Sequence, residues 1–342
     1  MLRLLPIALL LLLGCQSETE PDEATTTFDR ATLLRHWADD LIVPAFEDFS
    51  AAAAAQSAAA TDYATEPTEA SLGRLQEQFE EAYLAWQRVS PYMTGPGESV
   101  RLREQVNTYP TDTQRLTARQ EIVYELPANT DVQGMPALDF LLFGVEDPAL
   151  HRARIAEIAG RISTLSGQAL SGWQDGYRDD YVASAGSSAT ASVDRTVNDF
   201  LYWYERNLRA GKVGIPAGVF SSEPRPELAE AIYHGALSKR LFLEALAAGR
   251  AFYRSEPGLA DYLDALRVER DGQLLSERID AGFVSADAIA TDLNADFATQ
   301  VRLVNTPMLR LYDALQANVI LLKVDLLQAL SINVDYVDAD GD

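Results

Sequence analysis

Apolar residues recur at intervals of three and four along almost the whole chain, and that period limits what it can fold into. Over residues 27–61, Leu33, Leu34, Trp37, Leu41, Ile42, Ala45, Phe46 and Phe49 fall on one helical face. Pro44 lies inside this stretch, where it removes a backbone donor and predicts a kink. The run 51–60 is alanine except for Gln56 and Ser57, and alanine is the best helix former. It reads as a helix packed closely on its neighbours. A second helix is expected over 69–90, with Leu72, Leu75, Phe79, Tyr83 and Trp86 on one stripe and Pro91 as its stop. Further helices are expected at 136–143, 148–183, 192–209, 227–249, 258–266, 272–297 and 307–330. One segment, 332–337, alternates apolar and polar residues and reads as extended. The expected fold class is all-α.

A faint repeat divides the chain. An aromatic-rich helix ending near Pro91 leads into a Gly/Pro loop at 95–97, and another ending near Arg209 leads into one at 211–218. Two similar helical bundles lying side by side would explain this, over residues 28–185 and 186–342. Trp86 and Trp203 sit on apolar stripes and are expected inside those bundles.

The N-terminus carries a different signal. Arg3 precedes a short apolar run that ends in Leu12-Leu13-Gly14-Cys15. A charged start, an apolar stretch and small residues at a cut site read as a secretory signal over residues 1–14. The apolar run is too short to span a bilayer as a stable helix. Cys15 stands where the lipobox of bacterial lipoproteins places its acylated cysteine, so the mature chain is expected to start there. Residues 15–27 then form a polar tether from a membrane surface. Gln16 is not the Asp that typically holds such lipoproteins in the inner membrane. The outer membrane, facing the periplasm, is therefore the expected location.

The chain has 342 residues, a net charge of −23, three histidines and one cysteine. Such an acidic chain should be repelled by nucleic acid, which is excluded as a partner. With Cys15 lipidated, no thiol remains for redox chemistry or a thiolate metal site. His36, His151 and His234 are far apart in sequence, and no His-Glu-x-x-His pair, nucleophile elbow or phosphate loop occurs. His36 with Asp39, and Glu80 with Glu81, read as solvated helix faces. The acidic end, Asp338-Ala339-Asp340-Gly341-Asp342, echoes the start of a calcium loop but stops before its closing Glu.

Several short stretches, taken in order, resemble the imelysin family of bacterial envelope proteins. They are Ala85-Trp86-Gln87-Arg88-Val89 with Gly95-Pro96, and Asn107-Thr108-Tyr109-Pro110-Thr111-Asp112. Residues 134–144, from Gly134-Met135-Pro136-Ala137-Leu138-Asp139 to Gly144, come next. Lys212-Val213-Gly214-Ile215-Pro216-Ala217-Gly218 and Pro224-Arg225-Pro226-Glu227 follow, and then the C-terminal stretches 321–325 and 336–342. The resemblance implies two four-helix bundles with a site at their interface, and a role in iron acquisition alongside iron-uptake components. The family takes its name from a metalloprotease activity, and its hallmark is Gly-x-His-x-x-Glu. Here Pro136 stands at the His position and Asp139 at the Glu position, and Pro supplies no ligand atom.

The reading is a lipid-anchored binding protein, with a metal-dependent peptidase and a scaffold lipoprotein as alternatives. No cofactor is assigned from the residues; iron or another cation is what the resemblance implies. The expected cleft residues are Asp139, Pro136, Tyr109, Asp112, Lys212 and Gly214. The loops carrying Asp139 and Lys212 are expected to meet where the bundles face each other.

Overall fold

The computed structural model describes residues 28–118 and 121–336. Cys15, the signal and the tether lie outside these residues, as does the acidic end from Asp338. Asp29 starts the first helix by accepting from the N–H groups of Ala31 and Thr32. This helix, α1, runs through residues 30–65. Ahead of Pro44 it makes one wide turn, Trp37–Ile42, in which the Val43 N–H reaches back five residues to the Ala38 carbonyl. Helix α2, Glu69–Val89, begins at a reciprocal cap between Thr68 and Ser71. The alanine run of α1 is helical, and Ala53, Gln56 and Ala60 are fully buried.

Helix α3 covers residues 134–144 and α4 residues 152–183, with α4 interrupted at Gly176, whose φ is 121°. Helix α1 packs along both α2 and α4, and α3 is wedged against α4 and α2. Gly134 opens α3 at φ 79°, and a Cβ there would lie 2.3 Å from the Val106 carbonyl oxygen, so only glycine fits.

In the second half, α5 covers residues 192–217, α6 Ser238–Arg254, α7 Leu259–Ala265, α8 Leu275–Thr291, α9 Phe297–Leu303 and α10 residues 306–330. Helix α8 packs on α6 and α10, and α10 also packs on α5. The halves join where α6 lies against α2. Buried side chains form one connected apolar cluster through both halves, and it includes Trp86 and Trp203. The indole N–H of Trp203 donates to Ser90 Oγ at 2.9 Å, tying α5 to the end of α2. Among the described residues no helix is long and apolar enough to cross a membrane.

Two local expectations are corrected, and two local features were not expected. The helix expected over 227–249 starts only at Ser238; before it, residues 229–234 are irregular and Ala231 has φ 53°. The Gly/Pro loop expected at 211–218 is instead a wide-turned continuation of α5, which ends at Gly218 with φ 81°. A two-stranded hairpin, β1 Glu269–Arg270 and β2 Gln273–Leu274, was not anticipated. Its turn is Asp271-Gly272, both at positive φ, the pairing a tight hairpin favours. The alternating segment near the C-terminus pairs with no strand: Asn198 bonds to the Asn333 carbonyl and to the Asp335 N–H through its side-chain amide. The amide takes the place of a neighbouring strand.

Candidate functional site

Four polar side chains from three separate parts of the chain converge on Glu230. Tyr83 and Gln87 come from α2, one helical turn apart, and Asn107 follows the short helix Leu102–Val106. Lys212 comes from the wide-turned part of α5, and Glu230 from the irregular segment before α6. Glu230, Lys212, Gln87 and Tyr83 are all buried. Glu230 Oε1 accepts from Asn107 Nδ2 at 2.8 Å and lies 3.4 Å from Gln87 Nε2. Its other oxygen pairs with the Lys212 ammonium.

Tyr83 has one hydroxyl proton and two acceptors within reach, Asn107 Oδ1 at 2.7 Å and Glu230 Oε1 at 3.3 Å. The shorter contact takes the proton. Burial pushes the Tyr83 phenol well above its usual range, and the Glu230 charge adds to this. The same two causes raise Tyr109. Both phenols stay protonated, and Tyr83 acts as a donor. Burial also pushes the Lys212 amine down, and Glu230 pushes it back up. Tyr109, Asn107, Lys212, Asn207 and Trp203 line a cavity of about 10 Å³, room for about one water.

Asp139 is linked to the same irregular segment. Its carboxylate is buried and accepts from the backbone N–H of Tyr233 at 3.0 Å and of His234 at 2.9 Å. Burial raises its pKa to about 7, against the two N–H donors that lower it; Glu230 adds a smaller upward push. Apolar contacts surround the clamp: Phe140 meets Tyr233 at 5.0 Å between ring centres, and Phe143 stacks on the His234 ring at 4.2 Å. His234 Nε2 lies 2.7 Å from Glu80 Oε1, and Arg240 binds the other Glu80 oxygen.

The expected cleft residues therefore part company. Asp139 and Lys212 are both tied to the segment 230–234, and Tyr109 lines the small cavity beside Lys212. Pro136 is buried on the Asp139 helix and brings no polar atom. Asp112 instead caps the short helix Thr113–Thr117, accepting from the N–H groups of Gln114 and Arg115. Gly214 faces elsewhere, with Phe220 and Tyr312 less than 3 Å from where its Cβ would sit. Sequence reasoning missed Glu230, Asn107, Gln87 and His234 as partners. Glu80, read as part of a solvated helix face, is half-buried and holds His234 and Arg240. A usable signal for the irregular segment was Gly235 inside the expected helix, preceded by Pro224 and Pro226.

A model of the imelysin family matches residues 42–320. The chain belongs to the imelysin family. Among solved structures it is similar to an imelysin-like protein from Psychrobacter arcticum 273-4, with a TM-score of 0.71 at 20% identity, covering 90% of this chain and 97% of that one. It is also similar to a protein from Parabacteroides distasonis ATCC 8503 described as a candidate iron-regulated protein A precursor, with a TM-score of 0.70 at 12% identity, covering 91% and 97%. No curated protein matches the chain significantly. At such identities the two structures establish the shared all-helical fold.

In this imelysin, the residues present do not fit a metal held by a His and a carboxylate. Pro136 offers no ligand atom, and each Asp139 oxygen already accepts a backbone N–H. Glu230 is neutralised by the Lys212 ammonium, an internal cation. Among the described residues no three His, Cys, Asp or Glu side chains gather as a metal-holding group.

Proposed function

We propose that this imelysin is a lipid-anchored binding protein of the cell envelope, acting in iron acquisition or homeostasis and not as a peptidase. The observation that carries the choice between binding and hydrolysis is the Asp139 clamp. Metal-dependent hydrolysis needs carboxylate or imidazole groups gathered around a metal or a water. Asp139 instead turns each of its oxygens to a backbone amide N–H, and so joins α3 to the segment before α6. Glu230 is likewise engaged on both oxygens. The iron role is supported by family membership and by the similarity to the Parabacteroides distasonis protein, described as iron-regulated. Anchoring at Cys15 is supported by the N-terminal sequence.

Two experiments test this reading. Deleting the gene should slow growth under iron limitation but not in iron-replete medium, and a Cys15→Ala copy should fail to restore it. Equal growth of the deletion strain in both media would remove the iron role. Full-length protein should leave casein intact; cleavage that a chelator abolishes would favour the peptidase.

A further inference from the structure

A larger polar hollow between the two halves lies away from Glu230. It is a cavity of about 310 Å³ walled by residues 93–104, by α5 and by the C-terminal segment. That volume falls at the lower end for small-molecule sites. None of Asp139, Lys212 and Glu230 lines it.

Its wall holds three arginines, Arg101, Arg103 and Arg195, and four carboxylates, Glu98, Glu104, Asp199 and Asp335. Two pairs neutralise each other: Arg103 with Asp199 at 2.9 Å and Arg195 with Glu98 at 2.8 Å. Asp199 is further fixed by the Met93 N–H at 2.7 Å. What remains is Arg101 against Glu104 and Asp335, a wall with one negative charge in excess. Partial burial raises the Asp335 pKa, and the charges of Asp199 and Glu98 add smaller upward pushes. A positive group placed there would relieve that repulsion.

The same wall also lacks partners of another kind. Thr94 is 5% exposed, and its hydroxyl has no hydrogen-bond partner. Arg103 Nε–H is buried and also unpaired, although Nη2 of that guanidinium donates to the Ser90 carbonyl and to Asp199. Buried polar atoms are nearly always satisfied, and each exception calls for a cause. Arg103 Nε can only donate and the Thr94 hydroxyl can donate, so an acceptor oxygen would satisfy both. Tyr202, against which Arg103 stacks at 5.2 Å, and Tyr336 supply aromatic surface.

We propose that this cavity is a binding site for a small zwitterion of amino-acid or dipeptide size, its carboxylate received at Thr94 and Arg103 and its ammonium near Asp335 and Glu104. This site is independent of the iron reading, since none of its residues belongs to the Asp139 clamp or the Glu230–Lys212 pair.

The test is a thermal-shift screen of the full-length protein in detergent with the twenty amino acids and glycylglycine, followed by calorimetry on the strongest. Acetate and methylamine serve as probes of each charge alone. At least one zwitterion should raise Tm and bind measurably, while acetate and methylamine should not. Thr94→Val, nearly isosteric, and Asp335→Asn should each weaken that binding about tenfold, the effect of about 1.4 kcal/mol lost from one contact. Both variants should retain the wild-type circular dichroism spectrum. The proposal is overturned if no zwitterion binds, if methylamine or acetate alone binds as tightly, or if a folded Thr94→Val binds as well as wild type.

Discussion

Around Glu230 the polar groups close on one another, whereas around Thr94 and Asp335 several are left without partners in the wall of a hollow. Both regions lie where the two halves of the chain meet, and Arg103 borders the cavities of both. In the first, the Lys212 ammonium, the Asn107 amide and the Gln87 amide surround one carboxylate, leaving room for about one water. In the second, two ion pairs form and three charged side chains remain, along with a buried hydroxyl that bonds to nothing. A closed network contributes rigidity and fixes which segments meet. An open one pays in stability and keeps its donors for something else. The difference separates a structural cluster from a candidate ligand site, although both are polar and both join the halves.

The largest effect should come from breaking the closed region. Lys212→Met leaves Glu230 buried without its cation, which should cost about 3–5 kcal/mol. Urea unfolding should show it as a lower midpoint with unchanged slope. Adding Glu230→Gln to that variant should recover a large part of the loss, because a neutral amide has no charge to desolvate. Full additivity of the two losses would contradict the pairing.

Asn107→Ala should cost about 1.5–3 kcal/mol, the range for a hydrogen bond to a charged group. It frees Glu230 Oε1 and also takes away the acceptor of the Tyr83 hydroxyl.

Asp139 gives the comparison a pH axis. Its folded pKa is raised to about 7 from 3.8. Between those values the folded state holds more protons than the unfolded one, so this group's contribution is full below about pH 4 and is lost as pH rises through 7. Asp139→Asn should flatten that part of the stability profile while lowering stability overall, because one backbone N–H then meets an amide NH2. A wild-type profile with no extra decline across pH 4–7, relative to the variant, would count against it.

The smallest effect is expected in the open region. Thr94→Val removes an unsatisfied hydroxyl, so stability should be unchanged or should rise by about 1 kcal/mol. A loss larger than that would mean the hydroxyl has a structural partner, and the contrast between the two regions would fail.

The helical class was legible because the three-and-four period is written locally. Leu75, Phe79, Tyr83 and Trp86 mark the α2 stripe, and each is buried. Loop composition was a poorer guide. Residues 211–218 carry the glycines and proline of a loop, yet α5 continues through them in wide turns packed on α10. Gly211 is needed there because Tyr109 Oη comes within 2.9 Å of where its Cβ would lie. The Asp271-Gly272 hairpin was locally written too, but it is hidden between two helical patterns.

The sequence alone determined most of the helices and the capping side chains at Asp29 and Thr68, since each depends on neighbours within a few residues. Only the tertiary structure decided which charges meet. Tyr83 and Glu230 are 147 residues apart, Asp139 and the His234 amide 95, Arg103 and Asp199 96. No local period encodes such pairings. They follow from burying the apolar faces of the helices in one core, which carries their polar groups inward and leaves each to find a partner or face a cavity.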